Sequence, residues 1–191
     1  MEAIFTLPYS EYETINDLRK RLAQPKGNYF YIPTSRQQKD VDFIVHNLKS
    51  NRCLRFQVKS SRSYSNEPRK LKSGKEIYRN NLWFNNFIKT CKKSNADYYI
   101  LFGLYPVYKT TRSIHLKLDF WKNLIMCFSK QEMIEILKEA KTIRENKEER
   151  FFGFGFNSEN EIYGTRGFKD KPNLSKFLIQ NKIKDLKKSI V

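Results

Sequence analysis

One run of the sequence, "ADYYILFGLY" from Ala96 to Tyr105, restricts the possible folds more than any other stretch. Once past Asp97 it is continuously apolar, with no alternation of apolar and polar residues. Successive side chains of a strand point to opposite faces, so a strand of this composition has to be covered on both. A chain built around it needs packing layers above and below a sheet. At 191 residues it is long enough to bury such a core within one domain.

The surrounding elements follow from local signals. Ser10-Glu11-Tyr12-Glu13 has the form of a capping box and predicts a helix from Glu11 to about Gln24, ended by Pro25-Lys26-Gly27. Asn28 to Ile32 reads as a first strand and Pro33 to Lys39 as a loop. Residues 41–45 and 53–59 read as the arms of a hairpin, joined by a turn-rich segment from His46 to Arg52. A basic, polar loop occupies 62–79, and an aromatic segment runs from Leu82 to Ile88. Ser113 to Leu118 and Leu124 to Phe128 are two further strands. Ser129-Lys130-Gln131-Glu132 repeats the capping-box pattern and opens a helix to about Asn146. Phe151 to Phe156 is a strand or tight turn, and a terminal helix runs from about Leu174 to Lys188. This order predicts a mixed α/β domain over 1–191, with a core of about 10–128 and a helical and loop extension over 129–191.

Charge narrows the partner. Lysine and arginine number 37 against 20 acids, a net charge of +17, which favours a polyanion. Nucleic acid comes first, with an anionic membrane surface as the rival. No apolar run reaches transmembrane length, and the opening MEAIFTLPYSEYE turns acidic too early for a signal peptide. Cys53, Cys91 and Cys127 are odd in number and far apart, which fits reduced thiols in a cytoplasm. His46 and His115 stand alone, so a histidine or zinc site lacks ligands. There is no Walker loop, and Phe151 to Phe156 holds only a fragment of a dinucleotide loop.

The chemistry-bearing residues lie in the hairpin. Val41, Phe43 and Val45 alternate with Asp42 and Ile44, and Leu54, Phe56 and Val58 alternate with Cys53, Arg55, Gln57 and Lys59. One arm therefore offers an acid, and the other offers Gln57 and Lys59 on one face. A carboxylate and an amide carbonyl are hard oxygen donors suited to Mg²⁺, and a neighbouring lysine can orient water or offset charge developing on phosphorus. An ordinary solvent-exposed hairpin would carry the same residue types.

The arrangement resembles the PD-(D/E)XK, or restriction-endonuclease-like, nuclease superfamily. In that family an Asp at the start of one strand precedes a (D/E/Q)-x-K triplet in the next. Asp42 matches the first position and Gln57-Val58-Lys59 the second, followed by Ser60 and Ser61. Val41 stands where the preceding Pro would be, and neutral Gln57 replaces the acid. The resemblance implies a restriction-endonuclease-like mixed central sheet flanked by helices, and Mg²⁺-dependent cleavage of DNA by a homodimer, with Mn²⁺ able to substitute. It assigns the metal to Asp42, Gln57 and the backbone carbonyl of Val58, and the attacking water to Lys59.

Many members also carry a glutamate on the first helix. At about 100° per residue, Glu11 falls within roughly 40° of Ile15, Leu18 and Leu22, whereas Glu13 falls on the other side. Glu11 is therefore the expected fourth catalytic residue. Asp40 is either a second ligand or an exposed loop acid. Arg62, Arg69, Lys70, Lys72, Lys75 and Arg79, with the lysine-rich terminal helix, are expected to grip phosphates. Trp83, Phe84 and Phe87 stack on bases or fill a core, and Arg166 contacts phosphate or serves a turn. The expected role is that of a type II restriction-type enzyme. The alternatives are a DNA-binding module whose site has decayed at Gln57, or a junction-resolving, repair or homing nuclease of the same fold.

Overall fold

The computed structural model describes residues 8–22, 26–33, 40–65, 78–110, 116–140 and 151–191. The chain runs through α1 (Tyr9–Arg21), β1 (Asn28–Tyr31), β2 (Phe43–Asn47), β3 (Arg52–Arg62), β4 (Tyr64–Ser65) and β5 (Asn80–Asn85). It continues through α2 (Ile88–Lys93), β6 (Tyr98–Thr110), β7 (Leu116–Ser129) and α3 (Lys130–Glu139). Then come β8 (Phe151–Ser158), β9 (Glu161–Gly164), a 3₁₀ turn at Ser175–Phe177 and α4 (Ile179–Ile190).

The expectation of a mixed α/β fold holds. One sheet has the order β1-β2-β3-β6-β7. Its neighbours are antiparallel except β3 and β6, which run parallel. As the apolar run requires, β6 is covered on both sides. Tyr98, Ile100 and Phe102 share a core with Ile15 and Leu18 of α1 and with Ile179, Leu186 and Ile190 of α4. Tyr99, Leu101 and Tyr105 share a second core with Cys91 of α2, Met133 and Leu137 of α3, and five aromatic or aliphatic residues of β5 and β8 (Leu82, Phe84, Phe152, Phe154 and Phe156). Asp97 fixes the parallel register at its start: its carboxylate accepts from the backbone N–H, Nε and Nη2 of Arg55 at 2.8–3.0 Å.

The covering layer of the second core is a further antiparallel sheet, β4-β5-β8-β9. Its central sequence, Phe151 to Phe156, resolves as a strand rather than a tight turn. Phe152, Phe154 and Phe156 face inward and are fully buried. Between them stand glycines whose missing side chains leave room for neighbours. A Cβ on Gly153 would lie 2.6 Å from the Trp83 ring, and one on Gly155 2.3 Å from the Tyr78 ring. The two sheets also approach closely at Gly103 of β6, where a Cβ would lie 2.3 Å from Leu82 Cδ1.

Three local expectations change. No capping box forms at Ser10. The helix begins two residues earlier with Pro8 as N-cap, whose carbonyl accepts from the N–H groups of Glu11 and Tyr12. Glu13 instead accepts from Asn123 Nδ2 at 3.2 Å. At Ser129 the box does form, with reciprocal bonds between Ser129 and Glu132. The second change is that Leu124–Phe128 is not a separate strand from the one before it. β7 is continuous because it pairs along β6 past the point where β3 ends, with a register shift at Val107/Tyr108. Third, α2 was not anticipated within the aromatic and basic segment after Leu82. Ser113 to His115 and the helix continuation from 141 to Asn146 lie outside the described residues.

Cys91 and Cys127 are buried and Cys53 is exposed, all as free thiols. Among the described residues no helix is long and apolar enough to cross a membrane.

Candidate functional site

The site is built where β2 stops and β3 continues. The β2–β3 ladder begins at Phe43 opposite Phe56, and β3 extends on to Arg62 with β6 along its other edge. Asp42 stands at that stop. Its backbone N–H donates to the Phe56 carbonyl at 2.8 Å. Its carboxylate takes the next rung, because Oδ2 accepts from the Val58 N–H at 2.6 Å. In an antiparallel ladder the N–H and C=O of one residue face the same neighbour. The Val58 carbonyl therefore opens on the edge that carries the Asp42 carboxylate.

Gln57 and Lys59 flank Val58 and point to the opposite face from Phe56, toward the layer of β5 and α2. They stand opposite Tyr99 and Leu101 of β6. Gln57 is buried, at 9 % exposure, and its amide makes no hydrogen bond among the described residues. Lys59 is half-buried, and its Nζ lies 5.8 Å from the centre of the Phe87 ring.

Electrostatics tie these groups together. Burial pushes the Asp42 carboxyl above its ordinary value of 3.8, and it outweighs the lowering influences of the Val58 N–H and the Lys59 charge. The charge of Asp40, two residues before it, adds the smallest contribution to the rise. Asp40 also contributes to raising the Tyr99 hydroxyl, after burial and nearer groups. Its backbone has φ of 81°, the left-handed region that costs an ordinary residue of order 1 kcal/mol and that aspartate tolerates better than most. Of the two readings left open for Asp40, half-burial beside Asp42 favours membership of the site over an exposed loop acid.

Other expected residues fall elsewhere. Glu11 is half-buried on α1, whose buried residues pack on the face bearing Phe56 rather than the one bearing Gln57 and Lys59. Among the described residues no three acids, histidines or cysteines come together as a metal-binding group, so Glu11 does not complete a cluster with Asp40 and Asp42. Arg62 is exposed at the end of β3, its guanidinium 5.7 Å from the Trp121 ring. Arg79 is half-buried just before β5, where its N–H donates to Asn157 Oδ1 at 2.7 Å. Arg69, Lys70, Lys72 and Lys75 lie outside the described residues. The terminal helix covers the Phe56 face, and its Lys182 is buried in ion pairs with Glu132 and Asp185.

Two residues whose roles the sequence left open become neighbours of the site. Phe87, the N-cap of α2, supports Lys59. Arg166, on the loop after β9, lies against Trp83 and Phe151 with its guanidinium 5.0 and 5.1 Å from the two rings. Contacts between distant parts of the chain, Lys59 with Phe87 and Trp83 with Arg166, decide where each of them lies.

The donors at the site are the Asp42 carboxylate, the Asp40 carboxylate, the Gln57 amide and the Val58 carbonyl. All are hard oxygens, and two like-charged carboxylates held close in a partly buried place are relieved by a cation. That chemistry fits Mg²⁺, which takes few protein ligands and keeps several waters. No family model matches the sequence, and no curated protein and no solved structure matches it either.

Proposed function

We propose that this protein is a Mg²⁺-dependent endodeoxyribonuclease of the restriction-endonuclease-like kind, acting as a homodimer. The observation that carries the reading is the Asp42 carboxylate clamped on the Val58 N–H at 2.6 Å, with Gln57 and Lys59 on either side of that residue. Two strands thus bring the acid and the Q-x-K triplet to one edge. The mixed sheet flanked by helices and the net charge of +17 are consistent with the same reading.

Under this reading Asp42, Gln57 and the Val58 carbonyl hold the ion, with Asp40 as an additional carboxylate. Bound Mg²⁺ would supply Lewis-acid stabilisation of the phosphate and lower the pKa of a bound water. The Val58 N–H fixes one carboxylate oxygen of Asp42, so the other keeps a defined direction. Lys59, braced by Phe87, orients the attacking water and offsets charge developing on the phosphate oxygens. Arg62 and other exposed cations hold the flanking phosphates. The rival reading, a DNA-binding module with a decayed site, draws on the neutral, buried Gln57.

The test is conversion of supercoiled plasmid to nicked circles by the purified protein with Mg²⁺ and with EDTA. Cleavage in Mg²⁺ alone, abolished by Asp42→Asn, is the expected result. Binding of plasmid with no cleavage in Mg²⁺ or Mn²⁺ would move the assignment to the binding module.

A further inference from the structure

We propose that the cleft beside Lys59 is a stacking site for an unpaired nucleobase, so that the preferred substrate is DNA with a single-stranded segment. The inference rests on the nuclease reading for the identity of the polymer. It comes from Tyr64, Trp83 and Arg166, which have no part in that reading, beside Lys59 and Phe87, which do.

The cleft has a volume of about 500 Å³, within the range of small-molecule sites, and Lys59, Tyr64, Trp83, Phe87 and Arg166 line it. Its aromatic side chains are not simply core. Leu82 and Phe84 of β5 point inward and are buried, while Trp83 between them points out and is 39 % exposed. Tyr64, at 59 % exposed, sits 4.8 Å from the Trp83 ring, and the Arg166 guanidinium lies 5.0 Å from the same ring. Tyr64 and Trp83 thus form a contiguous exposed aromatic patch rather than isolated rings, the kind of surface that marks a binding site.

The indole is also held in a fixed attitude. Trp83 pairs across the ladder with Gly153, where even a methyl group would lie 2.6 Å from the ring. The glycine lets the indole lie flat over β8. Gly153 is tied in turn to the Arg166 loop, its N–H donating to the Arg166 carbonyl at 3.0 Å and its carbonyl accepting from Thr165 at 2.8 Å. Strand, glycine and loop together build a platform of Tyr64, Trp83 and Arg166.

The occupant follows from chemistry. Among the described residues the lining carries Lys59 and Arg166 and no acid, which suits a phosphate-bearing ligand. Flat aromatic and guanidinium groups offer π faces to a base. Bases inside a duplex are already stacked on each other, so only an unpaired or extruded base can use the platform. Because Lys59 lines the same cleft, a base seated there brings its own phosphate toward the proposed scissile position.

The experiment is fluorescence anisotropy of labelled oligothymidylate, and of a duplex of equal length, in EDTA so that no cleavage occurs. Trp83→Ala should weaken single-strand binding about 5- to 150-fold, the range for loss of one stacked base, and leave duplex binding unchanged. Trp83→Phe should retain most of the affinity. The chain has two tryptophans, so in Trp121→Phe protein the remaining indole reports directly, and oligothymidylate should quench it. Equal losses on both DNAs, unchanged single-strand binding, or no quenching would overturn the proposal. Plasmid nicking is scored separately. An active nuclease with no Trp83-dependent strand preference sinks this inference alone. An inactive protein whose single-strand binding depends on Trp83 sinks the nuclease reading alone.

Discussion

At the scale of single residues, Asp42 is the pivot because burial opposes its charge and outweighs the support of the Val58 N–H and Lys59. Its pKa is raised in the folded state, so folding disfavours its ionised form relative to the unfolded chain. The associated stability is present below the ordinary value of 3.8 and is lost as pH rises through the shifted value. Asp42→Asn keeps an acceptor for the Val58 N–H and removes the charge. In EDTA near neutral pH the variant should melt at or above the wild-type temperature, and the gap should close on acidification. A lower melting temperature across the whole range would mean that the carboxylate stabilises the fold without metal. Lys59 is expected to act on rate. One cation among 37 basic residues adds little to counterion release, but a cation at the reacting phosphate acts on the transition state. Lys59→Ala should therefore lower the single-turnover nicking rate by orders of magnitude while shifting duplex affinity only slightly. Matched losses in both would make Lys59 an ordinary phosphate contact. The adjacency of Asp42, Gln57 and Lys59 was legible in the sequence because a hairpin register and a period of two fix it locally. Asp40, Phe87 and Arg166 were legible only as candidates with two roles each, since a left-handed backbone at Asp40 and contacts distant in the chain decide where they lie.

At the scale of elements, the fit between the two sheets is set at Gly103, where β6 passes under Leu82 of β5. Gly103→Ala would place a Cβ 2.3 Å from Leu82 Cδ1 and 2.8 Å from Cδ2, in a residue only 1 % exposed. Overpacking of this kind costs about 1–3 kcal/mol, more than the entropy gained by replacing a glycine. The urea midpoint should fall, and an unchanged or higher midpoint would show that the layers can separate freely. The same contact explains what the sequence did and did not disclose. Continuous burial of Ala96 to Tyr105 announced a covered strand. What covers its second face did not show, because "FFGFGF" has the period of a strand only if its glycines are read as seats for Trp83 and Tyr78. The paired capping-box signals illustrate the same limit. Ser129 and Glu132 bond reciprocally at the start of α3. At Ser10 the preceding Pro8 claims the N-cap, with its φ of −54° and its carbonyl free to accept.

At the scale of the whole molecule, the central sheet separates two roles. One face carries α1 and α4 over a conventional core, and the other carries Gln57, Lys59 and the open cleft beside the second sheet. On the proposed reading, the net charge of +17 would make binding to DNA strongly ionic. If about six phosphates are neutralised, affinity should fall about 10³-fold between about 50 and 200 mM salt. A flat salt dependence, measured by anisotropy with a duplex, would remove nucleic acid as the partner. The most direct test of the account is the rate of plasmid nicking across a Mg²⁺ titration for the wild type and Gln57→Glu. A carboxylate added beside a bound cation strengthens its binding, so half-maximal cleavage by the variant should come at lower Mg²⁺. The maximal rate should stay within about tenfold, equivalent to about 1.4 kcal/mol in the barrier. No nicking by either protein at any Mg²⁺ concentration, with the variant destabilised equally with and without the ion, would contradict it.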